Sequence, residues 1–237
     1  MKEVTFEENK FLVFEQEGVN FVFSTAENNL NFNKNLSEGR LKLEKLKDWF
    51  KVENIGYSNQ IHSDIVNLFN GTVIEGDSLI TNKTNSAIGI FTADCVPILL
   101  YDSVNKVIAA VHSGWRSTVS DIVIKTVNRM TAEYKTKAED ITAYIGPHNR
   151  VCCYEVGMEV IDRFKNNQLF SEEKFLKDNN LNLAYFIHKQ LNSLGVKAEN
   201  IHDTELCTFC SKDYKLHSYR KDNGSYGRMF SFIFMKD

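Results

Sequence analysis

The chain has 237 residues, 43% of them hydrophobic and 25% charged, and its 28 Lys and Arg against 31 Asp and Glu leave a net charge of −3. That balance, with no basic block, argues against a nucleic-acid surface, and no apolar stretch reaches the ~20 residues that span a bilayer. The start, Met1-Lys2-Glu3-Val4-Thr5, lacks the apolar core of a secretory signal, so the expectation is a cytoplasmic protein with one sizeable core, a single domain over residues 1–237.

Taken in chain order, Phe11–Phe14 and Phe21–Ser24 read as a first strand pair. Leu41–Phe50 reads as an amphipathic helix with Leu41, Leu43, Leu46, Trp49 and Phe50 on or near one face. Strand-like runs follow at Ile55–Ser58, Ile65–Phe69, Ser78–Thr81, Ile88–Thr92, Ile98–Tyr101 and Val107–Val111. Val119, Ile122, Val123, Val127 and Met130 keep the 3.6-residue period of a helix over Val119–Tyr134, with Ser117 or Thr118 able to cap it. Ile141–Ile145 returns as a strand, and helices are expected over Val156–Phe164 and Leu183–Leu194, the second stopped by Gly195. The chain closes with strands at Leu216–Arg220 and Arg228–Met235 around a turn at Asp222-Asn223-Gly224, since Asn-Gly between apolar runs marks a hairpin. Strands and helices mix without strict alternation, which predicts an α+β fold with mixed sheets.

The five cysteines fit a reducing compartment as free thiols. Cys207-Thr208-Phe209-Cys210 is a CxxC without a second pair at zinc-site spacing, since the adjacent Cys152-Cys153 is a poor match. Both pairs therefore read as structural.

Chemistry concentrates where apolar runs end. Cys95 follows Ala87–Ala93, His112 follows Val107–Val111, and His62 lies just beyond Ile55–Ser58, so one thiol and two imidazoles are expected to converge from three strand ends. Two His and one Cys on Zn²⁺ leave a position for water or substrate, the pattern of a catalytic site. Zinc there brings bound water to a pKa near ~7. Arg116 stands just before the predicted helix, where free N–H groups and an arginine fork suit an anion. Arg220 and Arg228, flanking the last turn, are further anion candidates, and Phe91, Trp115 and Tyr219 are aromatic faces on which a flat ligand could stack.

A set of segments in fixed order carries a family resemblance: Asn59-Gln60-Ile61-His62, Gly76-Asp77-Ser78-Leu79-Ile80-Thr81, Thr92-Ala93-Asp94-Cys95-Val96-Pro97, His112-Ser113-Gly114-Trp115-Arg116, Gly146-Pro147 with Cys153-Tyr154-Glu155-Val156-Gly157, Cys207-Thr208, and Ser218-Tyr219-Arg220 with Gly227-Arg228-Met229. Over residues 10–235 the chain closely resembles the YfiH/YlmD-type laccase-domain family. The resemblance implies a four-layer α/β/β/α fold with mixed β-sheets, shared with the cytotoxic necrotizing factor-type cysteine hydrolase fold. It implies zinc, with copper also suited, on His62, Cys95 and His112 as metal and catalytic residues. It implies phosphorolysis of adenosine, inosine and methylthioadenosine, and hydrolytic deamination of adenosine. Purine nucleosides and phosphate are then the small-molecule partners, with Gln60, Asp94, Arg116 and Arg220 binding substrate, in a monomer or homodimer. The chain departs from the family pattern at Ser117, Ala26 and His148-Asn149, which bear on substrate preference.

The deaminase signature HxE with PCxxC is absent, so deamination would need another acid or base, Asp94 or Asp64. Six histidines and no His-x-His pair argue against a true multicopper laccase, although a single His₂Cys copper remains chemically sound. A metal-free cysteine hydrolase with Cys95 as nucleophile and His112 as base is the competing enzyme class. A non-catalytic zinc module would show a fourth protein ligand such as Cys153 or His148.

Overall fold

The computed structural model describes residues 1–167, 169, 175–223 and 227–236. The chain begins with three antiparallel strands, β1 (Lys2–Phe6), β2 (Asn9–Gln16) and β3 (Val19–Ser24). Helix α1 (Ser37–Phe50) follows, then β4 (Asn54–Gly56), β5 (Val66–Leu68), β6 (Ser78–Thr81), β7 (Ser86–Thr92), β8 (Val96–Asp102) and β9 (Val107–Ser113). Beyond them come α2 (Trp115–Val119), α3 (Ile122–Tyr134), β10 (Ile141–Ile145) and α4 (Met158–Lys165). The last elements are β11 (Leu176–Lys177), β12 (Asn180–Leu181), α5 (Leu183–Ser193), β13 (Ile201–Asp203) and β14 (Met229–Met235).

Among the described residues the strands form two six-stranded sheets, ordered β1-β2-β3-β14-β7-β4 and β13-β10-β8-β9-β6-β5, and a ribbon of β11 and β12. Both large sheets are mixed: β4 runs parallel to β7, and β5 parallel to β6, within otherwise largely antiparallel ladders. The period-2 alternation of strand side chains sorts them into layers. On β14, Phe230, Phe232 and Phe234 pack on α1 through Leu43, Leu46 and Phe50, whereas Ile233 and Met235 face the other sheet. On β8 and β9, Ile98, Leu100, Ala109 and Val111 face α3 and α5, whereas Leu99, Tyr101, Ile108 and Ala110 meet Phe21, Phe23 and Ile90 of the first sheet. The result is helix, sheet, sheet, helix, and β7, β8, β9 and β14 are buried at every position because both faces are covered. Among the described residues no helix is long and apolar enough to cross a membrane.

Gly89, on β7, shows how tight the first sheet is. A Cβ there would sit 2.7 Å from both Phe232 Cβ and Ser231 O, with the Phe230 ring closer still. Gly89→Ala is therefore expected to destabilise the fold by about 1–3 kcal/mol, the usual cost of overpacking. A lowered urea midpoint with unchanged m-value checks this, and an unchanged midpoint refutes it.

Several expectations need correction. The helix over Val119–Tyr134 is two helices, broken where Asp121 takes a left-handed φ of 62°. The break is held from outside: Gln190 Nε2 of α5 donates to Thr118 O (2.9 Å) and Asp121 Oδ1 (2.8 Å). Neither Ser117 nor Thr118 caps a helix start, because α2 begins at Trp115 with Gly114 as its N-cap. Thr118 Oγ1 instead donates to Gly114 O (2.8 Å) inside that turn. Leu41, assigned to the apolar face of α1, is 65% exposed. The stretch Leu216–Arg220 is irregular, not a strand, since β3 and β7 already occupy both edges of β14. Gly224 of the expected turn lies outside the described residues.

Candidate active site

Two chain crossings and one ladder build the site. Thr92 ends β7 in the first sheet, and after Ala93-Asp94-Cys95 the chain enters β8 in the second. The antiparallel ladder pairs Val96 with Ser113, so Cys95 comes opposite Gly114, and His112 lies one step inside β9. His62 arrives from the β4–β5 connection with a left-handed φ of 57°. One ligand atom each from His62, Cys95 and His112 lies within 4.8 Å of the other two. Cys95 Sγ is 3.9 Å from His62 Nε2, and the two imidazole centroids are 4.9 Å apart.

Asp77 organises this group. Its carboxylate accepts from His112 Nδ1 (2.7 Å), from Ser63 N and Oγ (2.7 Å each), and from the backbone N–H groups of His62 (3.1 Å) and Ile61 (3.2 Å). Its carbonyl accepts from His112 N at 2.7 Å. One buried residue thus fixes the loop that carries His62 and the ring of His112, whose Nδ1 is committed and whose Nε2 is left for a ligand. Burial pushes the Asp77 carboxyl up, but the hydrogen bond and charge of His112 and the Ser63 donors outweigh it and hold the pKa at about 2. For Cys95, burial likewise opposes ionisation, and the charge of His112 with hydrogen bonds from both imidazoles brings the pKa down to about 6. Burial alone would lower His112, yet the Cys95 charge and the Asp77 hydrogen bond raise it to about 9. Each group thus favours the charged form of the other, in the direction of a thiolate and an imidazolium.

The donor set fits a borderline-soft cation such as zinc or copper: a readily ionised thiol and two imidazoles, one oriented by a carboxylate. Gly114 supports the fit. A Cβ there would stand 3.1 Å from Cys95 Sγ and 3.2 Å from His62 Cδ2, so the missing side chain keeps the space beside the ligand atoms clear. Among the described residues the group has three members. His148 does not join it, being buried with Nδ1 on Gly146 O (2.8 Å), and Cys153 lies with the other cysteines.

His62, Cys95 and His112 line a cavity of about 340 Å³ together with Asn33, Lys34, Asn35, Asn59, Gln60, Phe91, Thr92, Ala93 and Arg228. Gln60 clamps the wall, donating to Phe91 O (2.8 Å) and accepting from Phe91 N (2.7 Å), so its amide is occupied by backbone. Lys34 Nζ lies 5.7 Å from the Phe91 ring centroid, donates to Asn59 Oδ1 (2.6 Å), and is pushed to lower pKa by burial. Asp94, at φ 93°, is buried and accepts from Thr208 Oγ1 (2.6 Å) and Arg220 N (2.8 Å). Such a backbone is strained by about 1–3 kcal/mol and persists because its surroundings impose it.

Of the arginines named from sequence, only Arg228 lines this cavity. Arg116 is the second residue of a one-turn helix rather than a residue before a long one, and its guanidinium stacks 4.3 Å from the Trp115 centroid. Arg220 packs on the Tyr154 ring and donates to Glu155 O. Both approach the other flank of the site, where Tyr154 is raised in pKa first by burial and then by the charge of Cys95, with Arg220 and Arg116 opposing. Asp64, considered as a base, pairs with Lys125. Lys34 and Asn33 escaped the reading of the sequence, and Asp77 stood in one of the ordered segments without a role: it is one acid before a short apolar run, and Asn31–Asn35 lacks periodicity.

Residues 15–236 match the family described as multi-copper polyphenol oxidoreductase laccase. A purine nucleoside phosphorylase of Clostridium acetobutylicum is 49% identical over 95% of this chain and 96% of its own length. A purine nucleoside phosphorylase of Aquifex aeolicus is 36% identical over 76% of this chain and 83% of its own. The crystal structure of the hypothetical protein YfiH of Bacillus licheniformis superposes with a TM-score of 0.87 at 27% identity, covering 95% of this chain and 96% of that one. The mixed α+β fold is that of YfiH-type structures, and the chain belongs to the laccase-like family whose description is multi-copper polyphenol oxidoreductase laccase, as its ordered segments indicate.

Proposed function

We propose that this protein is a zinc-dependent purine nucleoside phosphorylase acting on adenosine, inosine and methylthioadenosine, and that it also deaminates adenosine. The reading rests on one juxtaposition: the His62, Cys95 and His112 group, braced by Asp77, opens into a cavity lined by the Phe91 wall beside two cations, Lys34 and Arg228. The name its relatives carry supports the same reaction.

Phosphorolysis forms a bond from a phosphate oxygen to C1′ of ribose and breaks the bond to the purine. Arg228 and Lys34 would hold the phosphate, and Phe91 would stack the base. Asp94 keeps the turn before Cys95 fixed, and Gln60 keeps the Phe91 wall in place. A zinc ion on the three side chains would supply Lewis-acid stabilisation and activate water for deamination at C6. With metal-quantified protein, adenosine is expected to yield adenine and ribose 1-phosphate when phosphate is present, and inosine with or without it. Chromatography that finds neither product discards the reading. Arg228→Ala is expected to raise the phosphate KM by about 10- to 150-fold, the loss of a charge-assisted contact worth about 1.5–3 kcal/mol, with deamination spared. A larger effect from Arg116→Ala would move the anion to the other flank.

The cysteine-hydrolase reading draws on the thiolate–imidazolium pair, and the same pair provides a test. In metal-stripped protein a lowered pKa makes Cys95 nucleophilic at lower pH than an ordinary thiol. Alkylation of its peptide by iodoacetamide is expected to rise through pH about 6 and level off below pH 8, where a thiol at the ordinary value of 9.0 would still be climbing. Added zinc is expected to protect it. Unchanged alkylation with zinc, together with cleavage of an amide or ester by metal-free protein, favours the hydrolase.

A further inference from the structure

We propose that Cys152, Cys153, Cys207 and Cys210 form a second metal site, closed by four thiolates, that holds a single zinc-class divalent cation and staples the loop after β10 to the loop after β13.

The four sulfurs all lie within 4.8 Å of one another, and Cys152 Sγ and Cys210 Sγ are 3.6 Å apart. Four thiolates at the zinc–sulfur distance of about 2.3 Å make a tetrahedron whose edge is about 3.8 Å. The cluster thus has the size of one coordination sphere. All five cysteines of the chain are free thiols, and 3.6 Å is far outside a sulfur–sulfur bond. Iron–sulfur clusters place iron and sulfide between their cysteines and spread them more widely, so a mononuclear ion fits better. Thiolate softness selects zinc over magnesium or calcium.

The backbone prepares the site. Cys207-Thr208-Phe209-Cys210 is a tight turn in which Ser211 N donates to Cys207 O (3.0 Å). Backbone N–H groups of Arg150, Cys210 and Phe209 are directed at the Cys207 sulfur. The two loops are already aligned: His148 bridges in parallel to Cys207, Thr208 N donates to His148 O (2.9 Å), and Arg150 makes two bonds to Asp203 (2.7 and 2.8 Å). Four thiols become four thiolates when a dication binds, and their protons leave to solvent.

The staple also touches the first site. Asn149 N, three residues before Cys152, donates to Asp94 O (2.9 Å), and Thr208 Oγ1, between Cys207 and Cys210, donates to Asp94 Oδ1 (2.6 Å). Joining the two loops therefore holds the strained turn that presents Cys95.

The test uses the full chain with Cys95→Ser, reduced, metal-stripped and kept anaerobic, so that the first site contributes no thiolate. Titration with cobalt(II) is expected to give one equivalent with the visible bands and near-ultraviolet charge transfer of a tetrahedral tetrathiolate, bleached by one equivalent of zinc(II). Adding Cys210→Ser is expected to weaken cobalt binding more than about 100-fold, a ligand mattering more than the outer-shell partners whose loss costs 10–100-fold. Absence of thiolate–cobalt charge transfer in the Cys95→Ser protein overturns the proposal, whatever Cys210→Ser does to folding. A Cys152–Cys210 disulfide that reforms on mild oxidation, with cobalt still unbound after reduction, assigns the cluster to redox chemistry and overturns it too. None of these outcomes depends on the nucleoside reaction.

Discussion

Cys95→Ala is expected to remove the metal from the first site and, with it, both reactions on adenosine, while the protein stays folded. Loss of an outer-shell partner of a metal ligand lowers affinity 10–100-fold, so loss of the only thiolate among three ligands should exceed about 100-fold. The thiol is half-buried at the mouth of the ladder, and its removal takes no large side chain from the core. The variant also leaves His112 without the negative charge that raises it, so its imidazole should titrate lower than in the wild type. Elemental analysis after equal dialysis, beside a thermal melt, checks the result as the difference in metal content between the variant and the wild type. A variant that retains the wild-type metal content in the first site refutes the ligand assignment, and one that retains both activities without metal refutes the zinc dependence.

Asp77→Asn is expected to destabilise the whole protein as well as the site. Five donors converge on that carboxylate, from Ile61, His62, Ser63 (two) and His112. An amide NH₂ in place of either oxygen sets donor against donor in a site with no exposure. Breaking a buried, hydrogen-bonded pair from one side costs about 3–5 kcal/mol, and at about 2–4 °C per kcal/mol for a chain of this length the melting temperature should fall by roughly 6–20 °C. Metal affinity should fall about 10–100-fold because His112 loses its orienting partner. The sign with pH follows from the lowered carboxyl. Its folded pKa of about 2 lies below the ordinary aspartate value of 3.8, so the unfolded chain binds more protons in between. The contribution of Asp77 is therefore fully present above pH about 4 and is lost as pH falls through about 2. Between those limits the wild type should lose stability more steeply than Asp77→Asn. Parallel acid titrations of the two, followed by circular dichroism, would contradict this account if their slopes matched.

The sequence carried much of the architecture because local burial leaves a local trace. Strands β7, β8, β9, β10 and β14 are continuous apolar runs, and they fall within a residue or two of where those runs predict strands. Helices α1 and α5 announce themselves by period and by the Leu183 and Gly195 boundaries. The gathering of His62, Cys95 and His112 was legible for a related reason. Each stands near the end of an apolar run, and the β4–β5 connection, the β7–β8 turn and the end of β9 meet there.

What the sequence left open was decided by groups that meet only in three dimensions. Gln190 breaks the predicted long helix from another helix, so no residue near Ser120 signals the break. Lys34 and Arg228 reach the cavity from opposite ends of the chain, because the loop after β3 and the start of β14 border the same site. Cys152-Cys153 is a poor zinc half-site on paper, and the parallel pairing of β10 with β13 brings it against Cys207 and Cys210. By itself the sequence determined which segments are strands or helices and which side chains could carry chemistry, since those depend on neighbours a few residues away. Only the tertiary structure decided that Asp77 is the hub of the site, which arginine lines the cavity and which thiols lie together. Those depend on sheet order and crossing connections, which no local pattern encodes.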